Sequence, residues 1–556
     1  MASVREMFQN KSPLLRGVAY ILGALLLLYI VLQGVAYFFA DDYAAHKLRT
    51  QLQKIDAPQR IEFNDLNLNL LSGSATLCDI RIKADATAQY DRAASTKPPI
   101  LFKGTVNELK ISNTNIFSML WKDKISIGKI TIKQPNITAI RHTDTTKSDR
   151  NSFNSIDSAI YGFLPSQFKA IEVEKFSISD GQSQLITSGD TTSSLHRLDL
   201  TVHDIYIDSA SATSERLFPT DEISFSAQDF RIKLPDSLNI IAFKRLNIES
   251  SQQNIILDSL QLIPRYGKQE FVRRHGSPID RIELVIPVLS INHFNFSALA
   301  DSGKFFAANL SVDRANLKDY MNRSIEGGPP KYKPMPFITF RDLKYPIKLD
   351  SLTINNSFIA YSEYEGNTPK AGTVTFEHLN AIFKNISNLS TDSAQGLTTT
   401  LDAQAQVMGS GKLETHFEFP MNTKNAFHKV EGQLGAMPIA DFNRMMKYVA
   451  FLRVDKGKLN NLKFEMTLNN DQSSGTLVMD YEDLKVSVLD RQSAEQKGLT
   501  EDIKSFFVNS ILVKKANTPK SGMDAGQINF ERAKDKSIFN YWWKSLLSGI
   551  KDTAKK

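Results

Sequence analysis

One cysteine, Cys78, is all the thiol chemistry in 556 residues. No disulfide can close within the chain, and no cysteine-based zinc site can form. Catalytic signatures are missing as well. No GxSxG, HExxH, GxxxxGKS/T or GxGxxG occurs, so nucleophile elbows, zincin helices and phosphate cradles have no sequence to build on. The nine histidines are scattered, and His196 and His203 near an expected strand make a poor metal pair. A net charge of +7, spread along the chain, lacks the concentrated basic face that nucleic acid requires. The expectation is a non-enzymatic protein with no cofactor, no metal and no nucleic-acid partner.

What is there is the composition of a foldable protein, 42% hydrophobic and 23% charged. The length exceeds one ordinary core, which predicts several domains or one elongated body. A single long uncharged run occurs, residues 17–40, "GVAYILGALLLLYIVLQGVAYFFA". As a helix it reaches roughly 36 Å, enough for a hydrocarbon core of about 30 Å. Arg5, Lys11 and Arg16 precede it, and Asp41 and Asp42 follow. A cleaved signal peptide is the rival, but the bulky Phe38 and Phe39 before Ala40 oppose cleavage. The expected layout is a cytoplasmic tail at 1–16, a transmembrane signal anchor at 17–40, and a translocated body.

The body repeats one short pattern. "ISIGKITI" (125–132) alternates apolar and polar residues in two pairs, with a slip of one residue between the pairs. "IEVEKFSI" (171–178), "LTVHDIYI" (200–207), "IAFKRLNI" (241–248), "IILDSLQL" (255–262) and "IKLDSLTI" (347–354) repeat it. So do "ATLCDIRI" (75–82), "GTVNELKI" (104–111), "FSAQDFRI" (225–232) and "VTFEHLNA" (374–381), with a small residue at one position. Alternation marks strand, and an uncorrected slip would turn the second pair to the opposite face. A β-bulge absorbs the extra residue and bends the strand. Acidic residues recur at the slip: Asp79, Glu108, Asp204, Asp229, Asp258 and Asp350. Many bent strands, apolar on one side, predict a curved antiparallel sheet with a greasy concave side. Either a second sheet closes that side as a sandwich, or it stays open as a trough.

Polar, aperiodic stretches at 84–99, 141–155 and 187–194 read as loops, "RYGKQEFVRRHG" (265–276) as a solvated basic loop, and "IEGGPPKYKPMP" (325–336) as a linker. One or two short helices are expected within 297–324, and another near 438–452. The last segment, 491–556, carries a helix near 536–551 with Ile538, Phe539, Trp542, Leu546 and Ile550 on one face and Lys544 and Lys551 off it. That helix suits a membrane interface, and equally a cap buried on the end of its own sheet.

Residues 109–140, "LKISNTNIFSMLWKDKISIGKITIKQPNITAI", together with "IEFNDLNLNLLSGSATLCDIRI" (61–82), resemble the N-terminal region of AsmA-like proteins. Residues 432–490, with "DFNRMM" and "VDKGKLNNLKFEMTLNNDQSSGTLVMDYEDLKVSVLD", resemble their C-terminal region. The resemblance implies an N-terminal AsmA-like β region at 41–140, a middle groove region at 141–325 and a C-terminal AsmA-like region at 326–490. It implies a single-pass protein of the bacterial inner membrane, with a periplasmic, elongated, curved antiparallel β-groove akin to bridge-like, chorein-type lipid transfer proteins. Its expected partners are phospholipids, the inner membrane through 17–40, and the outer membrane or one of its proteins through the C-terminal tail. The implied activity is phospholipid transport between the membranes, with assembly of outer-membrane proteins on a filled β core as the alternative. On the trough reading, the lining falls to Ile125, Ile127, Ile130, Ile132, Ile171, Val173, Leu200, Val202, Ile347 and Leu349.

Overall fold

The computed structural model describes residues 41–54, 59–69, 73–84, 100–114, 124–141, 168–210, 220, 222–325, 332–366, 368–423, 425–489 and 514–554. The expected cytoplasmic tail and membrane anchor, 1–40, lie outside them. Among the described residues no helix is long and apolar enough to cross a membrane. The chain is mainly β with a few short helices. It divides into two units, one of Met1–Leu234, Ala242–Asp258 and His293–Phe306, the other of Pro235–Ile241, Ser259–Asn292 and Ala307–Lys556.

Among the described residues of the first unit α1 (Asp41–Lys54) precedes nine strands. These are β1 (Gln59–Glu62), β2 (Asp65–Asn69), β3 (Ser74–Ala84), β4 (Ile100–Thr114), β5 (Lys124–Lys133), β6 (Asn136–Arg141), β7 (Ala170–Thr187), β8 (Asp190–Asp208) and β9 (Ile223–Lys233). β1 and β2 pair with β3, and β3 with β4, all antiparallel. β5 and β6 hold one register on β4, with Ile111 opposite Ile130 and Gly104 opposite Ile137. They are therefore halves of one strand, broken at Gln134 (φ 49°) and Pro135. Both halves run parallel to β7, which departs from the all-antiparallel expectation. A parallel joint needs a long crossover, and the stretch between Arg141 and Ala170 supplies it.

The slips do not behave as isolated bulges. Between β3 and β4, Cys78 pairs with Glu108 and Ile80 with Val106, so the register runs straight through the slip. The unit reads the same in both directions, and antiparallel neighbours therefore set slip against slip. The same occurs where Ile127 and Lys129 face Val173 and Lys175, and where Val173 and Lys175 face Ile205 and His203. On β4 a further slip at Asn113 falls between Ser112 and Thr114, opposite Lys129 and Ile127. Asn113, Gly128, Glu174 and Asp204 thus form a crease across four strands. Asn113 (φ 56°) and Asp204 (φ 52°) take the left-handed conformation. A Cβ on Gly128 would stand 2.6 Å from the Cβ of Asn113, so only glycine lets the two strands nest. Asp79 and Asp229 are also left-handed, whereas at 258–259 the left-handed residue is Ser259. Two-against-one shifts of the expected kind occur elsewhere, as around Ser357 between the strands Ile347–Tyr364 and Gly372–Ser387.

Two cores hold this unit. Ala45 and Leu48 of α1 pack on Leu66, Leu77, Ile80 and Leu109. Ile111, Ile125, Ile127, Phe168, Ile171, Val173 and Ile207 form the second.

Three strands are divided between the units: β10 (Asn239–Glu249), β11 (Asn254–Pro264) and, after α2 (Lys268–His275), β12 (Asp280–Asn292) and α3 (Phe296–Ser302), β13 (Phe305–Asp313). The second unit continues with β14 (Asn316–Asn322), α4 (Pro336–Arg341), β15 (Ile347–Tyr364), β16 (Gly372–Ser387) and α5 (Ser390–Ala394). β17 (Thr398–Val407), β18 (Gly411–Pro420), β19 (His428–Leu434), β20 (Met437–Pro438), α6 (Asn443–Val449), β21 (Leu452–Leu468), β22 (Gln472–Val488), β23 (Ala525–Glu531) and α7 (Ile538–Ala554) complete it. This unit repeats the broken-strand device. β13 and β14 keep one register on β12, break at Arg314 (φ 53°), and β14 runs parallel to β15. From β15 to β23 the pairing is antiparallel.

Two local expectations change. The basic stretch 265–276 holds α2 rather than a loop. Phe271 and Val272 are buried, Glu270 bonds Arg273 and Arg274, and Gly276 (φ 78°) ends the helix. The helix expected near 438–452 is shorter, a 3-10 turn Ile439–Phe442 followed by α6. One large core joins Met335, Phe337 and Ile338 at α4, Met446 of α6, and Ile538, Tyr541, Trp542, Leu546 and Ile550 of α7 to the inner side of β17–β23.

Candidate functional site: a half-buried apolar face and its polar margin

Register identifies the side chains that share a face. In the first unit Leu200 and Val202 of β8 stand opposite Phe225 and Ile223 of β9. Phe230 stacks on Phe243 of β10, with ring centroids 4.9 Å apart. In the second unit Leu284 of β12 faces Leu317 of β14, Leu289 and Ile291 face Val312 and Leu310 of β13, and Leu317 lies beside Ile359 of β15. Leu352 and Ile354 continue that face. Most of these side chains are only half-buried. α2 touches β12 and β14, and α6 touches β15, yet of these side chains only Val202 and Ile291 reach full burial. Each half-buried leucine leaves on the order of 1 kcal/mol of transfer free energy unrealised. The same face is sealed at one end of each unit, by α1 in the first and by α4, α6 and α7 in the second.

The residues expected to line a trough divide between these settings. Parallel pairing of β5 with β7 brings Ile125 to Ile171 and Ile127 to Val173, and all four are buried in the second core of the first unit. Val202 and Leu349 are buried too, while Ile130, Ile132, Leu200 and Ile347 are half-buried. Ile347 and Leu349 belong to the other unit.

In the tail, Ile538 is buried, Trp542, Leu546 and Ile550 pack on the sheet, and Phe539 is 69% exposed. The Trp542 indole Nε1 donates to His428 Nε2 at 3.0 Å, and His428 Nδ1 donates to the Ala426 carbonyl at 3.0 Å. Burial holds His428 neutral, its pKa pushed down to about 4. Here α7 serves as a cap on its own sheet.

The second unit also carries a polar cluster in the apolar phase of its strands. Asp280 is in phase with Ile282 and Leu284, Asp319 with Leu317 and Met321, and Glu363 with Ile359 and Tyr361. Arg323 bonds Glu363, and its Nε lies 3.7 Å from Glu365; the Tyr361 hydroxyl donates to Glu363 at 2.9 Å. Burial works to raise the Glu363 carboxyl, but the Arg323 charge and the hydrogen bonds outweigh it and hold it below the usual carboxylate range. Asp319 is pushed up to about 7 by burial first and by the Asp280 charge second, and Asp280 is raised by burial. These residues were missed in the sequence, although a carboxylate between two in-phase apolar residues, as in "LKDYM", is a readable signal.

On the opposite, polar face of β15–β22 lies a concavity of about 780 Å³, bordered by Asp402, Gln404, Glu414, His416, Glu431 and Glu465. The concave side was expected to be the greasy one. A strongly twisted sheet is a saddle, concave along one diagonal on each face, so hollows need not follow polarity. Among the described residues no three His, Cys, Asp or Glu side chains stand where they could hold a metal ion. Compared with known families and curated proteins, the chain matches no family model and no curated sequence.

Proposed function

We propose that this chain binds phospholipid acyl chains on its half-buried apolar sheet faces and assists their movement between the inner and outer membranes of a bacterial envelope. Residues 17–40 would anchor it, with the body in the periplasm. The observation that carries this reading is the half-buried aliphatic face of β8–β10 in the first unit, and of β12–β14 and the first half of β15 in the second. The resemblance of 61–82, 109–140 and 432–490 to AsmA-like proteins supports it. The mechanism is partition. Each methylene removed from water contributes about 0.8 kcal/mol, and a lining of similar aliphatic side chains offers no single deep well, which favours sliding.

A photocrosslinking side chain placed at Phe243 or Leu352 of the full-length protein, in membranes, tests it. The expected result is a lipid adduct, identified by mass spectrometry, at both positions and none at Thr353 on the opposite face. Adducts at neither apolar position would end the proposal. The second reading is a scaffold that holds outer-membrane proteins with a filled interior. It is favoured by the sealed burial of Ile125, Ile127, Ile171 and Val173 and by the docking of α7. Protein adducts in place of lipid at Leu352 would select it.

A further inference from the structure

One cluster on the second unit's apolar face has no part in that reading. We propose that Asp280, Asp319 and Lys333 select the headgroup of the bound lipid, admitting zwitterionic headgroups that carry an ammonium and rejecting purely anionic ones. The inference rests on the lipid reading and narrows its substrate class to amine-bearing phospholipids.

Charge is the first support. Glu363 is occupied by Arg323 and Tyr361, and Glu365 also lies beside Arg323. Asp280 and Asp319 then face the charge of Lys333, with Arg323 reaching Asp280 as well, and the carboxylates of Asp280, Asp319, Glu363 and Glu365 against the two cations Arg323 and Lys333 leave the site negative. An anionic phosphate brought there without its own cation meets repulsion that water screens poorly.

Hydrogen bonding is the second. Asp319 Oδ1 is shut off from solvent and receives no hydrogen bond. A buried acceptor left unmade costs about 1–3 kcal/mol, and an ionised one more. The donor it lacks is a compact cation such as a primary ammonium, which Asp280 would share. Lys333, exposed and otherwise near the Asp535 carboxylate, would take the phosphate of the same headgroup.

Position is the third. Lys333 is tied down by its own backbone, its amide donating to the Lys534 carbonyl at 2.8 Å and its carbonyl accepting from Arg532. Two residues later Met335 enters the core closed by α4, and α6 packs on β15 and on Gly372 of β16, the strand partner of Glu363. The cluster marks where the sealed part of the face gives way to the open part. Tails lying on Leu284, Leu317 and Ile359 would bring a headgroup to this margin.

The test uses the detergent-solubilised full-length protein, incubated with equal amounts of phosphatidylethanolamine and phosphatidylglycerol of matched acyl chains. Bound lipid is counted by mass spectrometry. At pH 8 the wild type is expected to hold the ethanolamine lipid in excess by on the order of five-fold. The Asp280→Asn/Asp319→Asn double variant should bind the same total with a ratio near one, and Glu283→Gln on the polar face should keep the wild-type ratio. A wild-type ratio near one, or an unchanged ratio in the double variant, overturns the selection while leaving lipid binding standing. No bound lipid of either kind overturns both. If the double variant fails to fold, the wild type at pH 6 against pH 8 gives the contrast, because protonating Asp319 should lower the ratio. Arg323, Glu363, Glu365 and Tyr361 face the same site but are committed to one another, and a ratio flat with pH refutes the assignment.

Discussion

Acidification should loosen the tail helix through His428. This imidazole is fully buried and titrates near 4 rather than the ordinary 6.5. Its neutral form is needed twice over, since Nε2 accepts from Trp542 while Nδ1 donates to Ala426. A histidine with a lowered folded pKa contributes stability that is complete above about pH 6.5 and is lost as pH falls toward 4. The difference of roughly 2.5 units corresponds to about 3 kcal/mol at most. Urea unfolding of the second unit, followed at pH 7.5, 6.5, 5.5 and 4.5, should show this loss in the wild type. Carboxylates elsewhere also titrate in that range, so the informative quantity is the difference from His428→Gln, which can still accept from Trp542 but cannot ionise. The wild type should fall relative to the variant by about 1.4 kcal/mol for each pH unit below 6.5. Parallel curves from pH 7.5 to 4.5 would refute the placement of α7 on β19, whatever the fate of the lipid proposal.

Trp542→Phe keeps the packing but leaves His428 Nε2 without a donor, and should cost about 1–2 kcal/mol in urea unfolding at pH 7.5. Gly128→Val forces β4 and β5 apart at the crease; about 1–3 kcal/mol of lost stability is expected, with faster hydrogen exchange in β4, β5 and β7 and no change in β21 or β22. Asp319 has a raised pKa, so its penalty grows from pH 4 to 7 and is constant above. Asp319→Asn should therefore be neutral below pH 4 and stabilising above pH 7, by on the order of 1–2 kcal/mol after solvent screening, as read from thermal unfolding at the two pH values.

The strand units were legible because alternation reports directly on a sheet with one dry face. Each quoted unit falls on a strand, and at Asp79, Asp204, Asp229 and His378 the slip takes the left-handed conformation. What alternation cannot report is the partner. The parallel joints at β5–β7 and β14–β15 depend on crossovers whose polar or Gly/Pro-rich composition marks a connection but not the direction in which the chain returns, and the pairing of slip with slip depends on a palindrome that shows only when two strands are laid side by side. The burial of Ile125, Ile127, Ile171 and Val173 was equally hidden, since a residue lining a trough and a residue in a core carry the same side chain. α2 escaped because four basic residues outweighed the single apolar pair Phe271 and Val272. Asp280 and Asp319 escaped because a carboxylate ordinarily belongs to the wet face, and only its phase with the flanking apolar residues shows otherwise.

The tail helix does more than fill space over β23. Asp552 Oδ2 accepts from the backbone N–H of Gln527 at 2.9 Å, and Ser548 Oγ from that of Asn529 at 3.1 Å. Those amides are the ones an incoming strand would use. The hydrophobic clasp of α7 is thus also a lock on the margin of the ribbon: a donor peptide, a misfolded chain or a second molecule seeking to extend the hydrogen-bond ladder past β23 must first pry the helix away.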